Sequence, residues 1–213
     1  MIKYINKNTC YIDDSVVIED NVTIYPNVVI LGNSIIKSNT LIYPNTTIEN
    51  SIIGENNIIR NSNILNSNIG NNNNIGPNAY IRNNTTISNN CNIGFSVEIK
   101  NSTIDDETKI AHLAYIGDAK IGKNVNFGAG VKIANYDGVK KYKTTILDNV
   151  FIGCNSVLVA PVTIEENSLI AAGSVITKDV PKNCLAIARK HQINKENYYS
   201  KREIWYYYLS STH

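Results

Sequence analysis

Residues 12–48 read IDDSVVIEDNVTIYPNVVILGNSIIKSNTLIYPNTTI, with isoleucine at Ile12, Ile18, Ile24, Ile30, Ile36, Ile42 and Ile48. After one five-residue step to Ile53 the same register runs through Ile59, Ile64, Ile69, Ile75, Ile81, Ile87, Ile93, Ile99, Ile104, Ile110, Ile116, Ile121, Phe127 and Ile133. It breaks once and resumes at Ile146, Ile152, Leu158, Ile164, Ile170 and Ile176. A period of six fits neither an α-helix nor an ordinary hairpin sheet, and it marks a solenoid.

Side chains alternate between the faces of a strand, so one inward isoleucine in six implies a short strand of about four residues followed by a two-residue corner. Three such strands close a triangular coil. The position two before each isoleucine also points inward and holds smaller residues, Val16, Val22, Val28, Ser34, Thr40 and Thr46. The corners fall on Asp20-Asn21, Pro26-Asn27, Pro44-Asn45 and Gly76-Pro77, residue types that accept turn geometry. The expected fold is an all-β parallel β-helix of about nine triangular coils, roughly 43 Å tall at the usual strand spacing. It would occupy residues 1–176 and extrude a loop at 134–145, leaving residues 177–213 as a C-terminal tail with Arg189, Trp205 and the run Tyr206-Tyr207-Tyr208.

The 213 residues are 43% apolar, enough for a real core. The 20 basic and 18 acidic side chains leave a net charge of +2, which argues against a non-specific nucleic-acid binder. Cys10, Cys91, Cys154 and Cys184 lie far apart without a CxxC pair, so neither a disulfide framework nor a metal site is indicated. Free thiols, the absence of a charged-then-apolar leader and the absence of a long apolar run point to a cytoplasmic protein outside the membrane.

The period also serves as a ruler, because three strands onward lies the residue stacked directly above. Arg82 falls one coil below Lys100, and Tyr80, Glu98 and Tyr115 stack on the other side of the same isoleucines. Two cations about 5 Å apart repel on a bare surface, and a phosphate between them would remove the repulsion. A solvated pair of charges is the alternative. If the break is a loop extruded from one corner, His112, Ala129, Cys154 and Ala172 form a single column, an imidazole below three small side chains. That groove suits an extended pantetheine arm. His112 is the one histidine inside the coils, and although a lone corner histidine is often mere surface, an imidazole there could take a proton from an attacking amine. The break itself, ANYDGVKKYKTT from Ala134, offers Asn135, Tyr136, Lys140, Lys141 and Lys143 as donors and charge, or is simply a tolerated insertion.

The strings HLAYIGDAKIG (from His112), GAGVKIANYDGVKKYKT (from Gly128), FIGCNSVLVAPVTI (from Phe151) and IAAGSVITKDVPKNCLAIAR (from Ile170) resemble the acetyltransferase domain of the bacterial bifunctional N-acetylglucosamine-1-phosphate uridyltransferase/glucosamine-1-phosphate N-acetyltransferases. The likeness runs more weakly back to the first coils. It implies a left-handed hexapeptide-repeat β-helix and acetyl transfer from acetyl-CoA to the amine of glucosamine 1-phosphate, on the way to UDP-N-acetylglucosamine and the cell envelope, without a metal. Carried over, the base falls on His112. The sugar-phosphate cations fall on Arg82, Lys100 and Lys141, and the other amino-sugar contacts on Tyr115, Asn126 and Glu98. Asn135 and Tyr136 fall at the sugar and thioester, and Ala129, Cys154, Ala172 and Arg189 at the coenzyme. Cys154 stands where the family commonly has serine, a departure that touches one coenzyme contact. The resemblance also implies a homotrimer with sites between subunits, the tail reaching to a neighbour.

The chain starts at the coils, without the Gly-rich phosphate loop of a nucleotidyltransferase domain, so uridyl transfer is not expected of it. An amino sugar on a nucleotide carrier or another sugar phosphate is the alternative acceptor, and a non-catalytic β-helix scaffold the alternative class. A zinc enzyme on the same helix would need three histidines from neighbouring coils, whereas His191 and His213 lie in the tail.

Overall fold

The computed structural model of the chain describes residues 1–198. Trp205, Tyr206, Tyr207, Tyr208 and His213 lie outside the described residues. Parallel strands of two to four residues stack into three sheets, wound as a left-handed β-helix of about 10 turns. The first sheet has 11 strands, from Lys3–Tyr4 to Leu185–Ala186. The second has 10, from Tyr11–Ile12 to Val175–Ile176, and the third 9, from Val17–Ile18 to Val162–Ile164. Corner I joins the first sheet to the second, and corner II the second to the third.

Isoleucine sits on isoleucine in register. In the second sheet Ile12, Ile30, Ile48, Ile64, Ile81, Ile99 and Ile116 are successive partners. From Ile24 upward these columns are closed to solvent, and the smaller inward residues Val22, Val28, Ser34, Thr40 and Thr46 are closed with them. Bulky and small side chains thus interdigitate along the axis, which is how a narrow triangular core reaches native density. Cys91 belongs to this core, and burial, the largest cause, pushes its thiol up to about 11, so it packs as an inert apolar residue.

The corners explain the abundance of asparagine. Each coil turns through a left-handed backbone conformation that most L-residues disfavour and asparagine tolerates. Among the described non-glycine residues with positive φ, all but Ser96, Glu107, Leu113 and Asp118 are asparagine. Neighbouring corner amides also bond one another along the axis, as Asn61 donates to Asn78 at 2.7 Å and Asn124 to Asn149 at 2.9 Å.

The break in the period leaves the register intact. Lys132–Ala134 and Thr144–Ile146 are regular strands, Ile121 pairs with Ile146, and Phe127 pairs with Ile152. The intervening residues 135–143 are extruded at corner II and fold back through a bridge between Tyr136 and Lys141. Past Ile176 the isoleucine period ends but the ladder does not: Leu185–Ala186 pairs with Leu169–Ile170, and Val180 bridges to Ile164.

Candidate functional site

Corner I holds a column bound through its backbone. His112 ends the strand Lys109–His112 in register with Phe95 below it, and both side chains are exposed. Above, the carbonyl of His112 accepts from the N–H of Gly130 at 3.3 Å and that of Ala129 from Asn155 at 2.8 Å. The carbonyl of Cys154 accepts from Gly173 at 2.8 Å, and the guanidinium of Arg189 donates to the carbonyl of Ala172 at 2.7 Å. The structure therefore brings His112, Ala129, Cys154, Ala172 and Arg189 onto one line. The approach is close because of glycine: a Cβ on Gly128 would sit 2.5 Å from the backbone nitrogen of Cys154, and one on Gly153 2.4 Å from that of Ala172. Such a line, small and nearly flat between an imidazole and a guanidinium, can accept an extended chain with an anionic end.

Corner II gathers the cations. Arg82 and Lys100 are partners in the second sheet, as are Glu98 and Tyr115. Arg82 is not a bare charge, however. Its guanidinium donates to Glu98 Oε1 at 2.6 and 3.2 Å and lies 5.2 Å from the centre of the Tyr80 ring. A second repulsion lies between Lys100 and Lys141, where the extruded loop folds onto its own corner. Lys100 is 9% exposed, and its amine is held below the usual lysine range first by the facing amine of Lys141 and then by burial, with the Arg82 charge adding to the lowering and Asp118 acting the other way. Lys100 and Lys141 border an open cavity of about 530 Å³ together with Asn84, Asn101 and Asp118.

Tyr115 reaches the same corner by lying across a glycine. A Cβ on Gly117 would fall 2.6 Å from the Tyr115 hydroxyl and 2.7 Å from the Asn135 amide nitrogen. Asn135 is buried and donates its amide to Asp118. Tyr136 stands at the exposed end of the loop, its hydroxyl donating to the carbonyl of Gly138 at 2.6 Å.

Two separations matter. Asn126 lies on the first sheet between Lys109 and Phe151, away from corner II. The corners themselves stand apart by the width of the second sheet, from Leu113 to Gly117, roughly 13 Å at about 3.3 Å per residue. Within one chain the imidazole and the lysines thus sit on opposite edges of a sheet. Sequence reasoning missed Phe95, which a count back from His112 would have found, and Asp118, one of the four described positive-φ residues that are neither asparagine nor glycine. It missed the Arg82–Glu98 ion pair because both residues were assigned to ligand.

A family model described as GMPPB C-terminal domain matches residues 63–204, and one described as bacterial transferase hexapeptide (six repeats) matches residues 15–50. Bifunctional protein GlmU of Alkaliphilus metalliredigens is 55% identical over 112 residues, which is 53% of this chain and 25% of that protein. GlmU of Caldicellulosiruptor saccharolyticus is 59% identical over 114 residues, again 25% of its length. The chain thus matches about a quarter of these relatives. Among solved structures, Arabidopsis UDP-N-acetylglucosamine acyltransferase superposes with a TM-score of 0.66 at 19% identity, over 93% of this chain and 76% of that one, a likeness of fold. No helix among the described residues is long and apolar enough to cross a membrane.

Proposed function

Because the chain belongs to the family described as the GMPPB C-terminal domain, we propose that it is an acetyl-CoA-dependent N-acetyltransferase acting on the amine of glucosamine 1-phosphate. The observation that carries this reading is the corner I column, His112 below Ala129, Cys154 and Ala172, with the Arg189 guanidinium on the last carbonyl. The 55% and 59% identity of the chain to GlmU proteins over about half of its length supports the acetyl donor and the amino-sugar acceptor.

The coenzyme would lie along the column, its phosphates toward Arg189 and its thioester toward His112. The amine attacks the thioester carbon, His112 takes the amine proton, and a backbone N–H near Ala129 stabilises the oxyanion before the coenzyme thiolate leaves. Lys100, Lys141 and Arg82 would hold the sugar phosphate, with Tyr115 and Asn135 on the sugar. Amine and phosphate sit on adjacent carbons of one ring, whereas corners I and II are a sheet width apart. The reading therefore places each site between two columns of a homotrimer, corner II and its loop from one chain facing His112 and Asn126 of the next.

The test is release of free coenzyme thiol from acetyl-CoA with a panel of amino sugars, with and without the 1-phosphate and with nucleotide-linked forms. Turnover fastest on glucosamine 1-phosphate is expected. Turnover confined to unphosphorylated sugars would remove the role of Lys100 and Lys141, and turnover confined to nucleotide-linked sugars would move the acceptor. His112→Ala should lower kcat by about 10²–10⁴-fold, the usual contribution of a general base. A rate within a few-fold of wild type would show that the base lies elsewhere.

A further inference from the structure

Asp118 is tied on every side to what surrounds the lysine pair. Its side chain accepts the amide of Asn101, from the coil below, on Oδ1 and the amide of Asn135, at the start of the extruded loop, on Oδ2. Its N–H donates to the carbonyl of Lys100 at 3.0 Å, and its carbonyl accepts from Thr144 at the end of the loop at 3.2 Å. One residue thus fastens both ends of the loop to the strand that carries Lys100. Inside the loop, Tyr142 N–H closes on the Asn135 carbonyl at 2.8 Å, and Asp137 accepts from Val139 and Lys140, each at 2.8 Å. The loop is thus hydrogen-bonded within itself as well as at its base, and Lys141 is the part of it facing Lys100 across the shared cavity.

The residue type is itself informative. Asp118 has φ +52, and below it on the same corner Asn101 has φ +47 and Asn84 φ +59. Asparagine would serve that backbone equally well and does so at nearly every other corner. What asparagine cannot do is accept one amide on each of its two terminal atoms, as Asp118 does, because one of those atoms is a donor. A carboxylate also places a negative charge beside two ammonium groups that otherwise face each other.

We propose that Asp118 is a positioning residue of the amino-sugar-phosphate subsite, clamping the 135–143 loop at both ends so that Lys141 is held opposite Lys100 before the anion arrives. The proposal rests on the reading of corner II as the phosphate subsite. Asp118 touches neither reacting atom. It acts through Asn135 and Lys141, and it lets two like charges share one corner without a ligand.

Asp118→Asn tests it, since the substitution keeps size and suits the left-handed corner. Lys140, Lys141 and Lys143 make the loop a tryptic target, so nicking of the folded protein within 135–143 reads the clamp independently of turnover. The clamp predicts nicking faster by roughly fivefold or more in the variant as local opening becomes easier. It also predicts a KM for glucosamine 1-phosphate raised by roughly tenfold, the scale of a lost hydrogen bond to a charged group, with the KM for acetyl-CoA within about twofold. Asn101→Gly, which removes only the lower amide at a backbone that glycine accepts, should shift both readouts the same way by less, and it replaces the first variant if that fails to fold. Unchanged nicking would overturn the clamp, and so would a parallel rise of both KM values with an earlier melt. If the wild-type protein acetylates no sugar phosphate, the proposed function falls, while the nicking rates with and without inorganic phosphate still decide whether Asp118 holds the loop.

Discussion

At corner II the lysine pair sets a sign that experiment can read. Lys100 is nearly buried with its amine against that of Lys141, and its folded pKa lies below that of an ordinary lysine. The native state then binds fewer protons than the unfolded chain between that lowered value and the usual lysine range, so this group makes stability rise with pH across that window. Below the window the Lys100 amine is charged and the destabilisation from its surroundings is fully present. Lys141→Ala should therefore raise the melting temperature at neutral pH without ligand and flatten the alkaline rise. The same variant should lose most of the stabilisation that glucosamine 1-phosphate gives the wild-type protein. A melting temperature that falls without ligand would mean that Lys141 is simply packed there. Arg82, which adds to the lowering at Lys100, is itself paired with Glu98 at 2.6 Å.

At the scale of the element, the coil is a strand and a corner, and the corner residue is chosen for its backbone. Asn66 has φ +48 and takes its place in the corner II column by donating its N–H to the Glu49 carbonyl at 2.9 Å. Asn66→Ala should cost about 1–2 kcal/mol, the penalty of a left-handed conformation for an ordinary L-residue, and Asn66→Gly distinctly less. Urea unfolding of both variants measures the difference, and equal losses would trace the corner to the side-chain amide instead. The loop obeys a different logic. It leaves after Ala134 and returns at Thr144 without altering which residues stack, so its sequence is free of the core and available for charge.

For the whole molecule, the question is whether one chain makes a site. His112 on corner I and Lys100 on corner II lie on opposite edges of the second sheet, and Asn126 lies on the first. If sites form between columns, two inactive variants complement each other. His112→Ala and Lys100→Ala, unfolded together and refolded as mixed trimers, should recover about a quarter of wild-type activity, the chance that one interface draws both intact halves. Refolding each variant alone should recover none. No recovery in the mixture, with mixed trimers verified by mass, would place both residues of a working site on one chain.

By itself the sequence determined the coil, its register and the corner I column, because strand alternation and in-register stacking are periodic and a count carries them from one coil to the next. The count remained valid across the extruded loop, as the pairing of Phe127 with Ile152 shows, and it brought His112 under Ala129, Cys154 and Ala172. Tertiary structure alone decided what is not periodic: the side-chain path by which Arg82 finds Glu98, and the fold of the loop that turns Lys141 to Lys100. It also decided the pairing of Leu185–Ala186 onto the first sheet after the isoleucines stop. Asp118 belongs to this second class. In the sequence it is one more polar corner, and only the backbone conformation it shares with asparagine, set against the two amides it accepts, gives its carboxylate a reason.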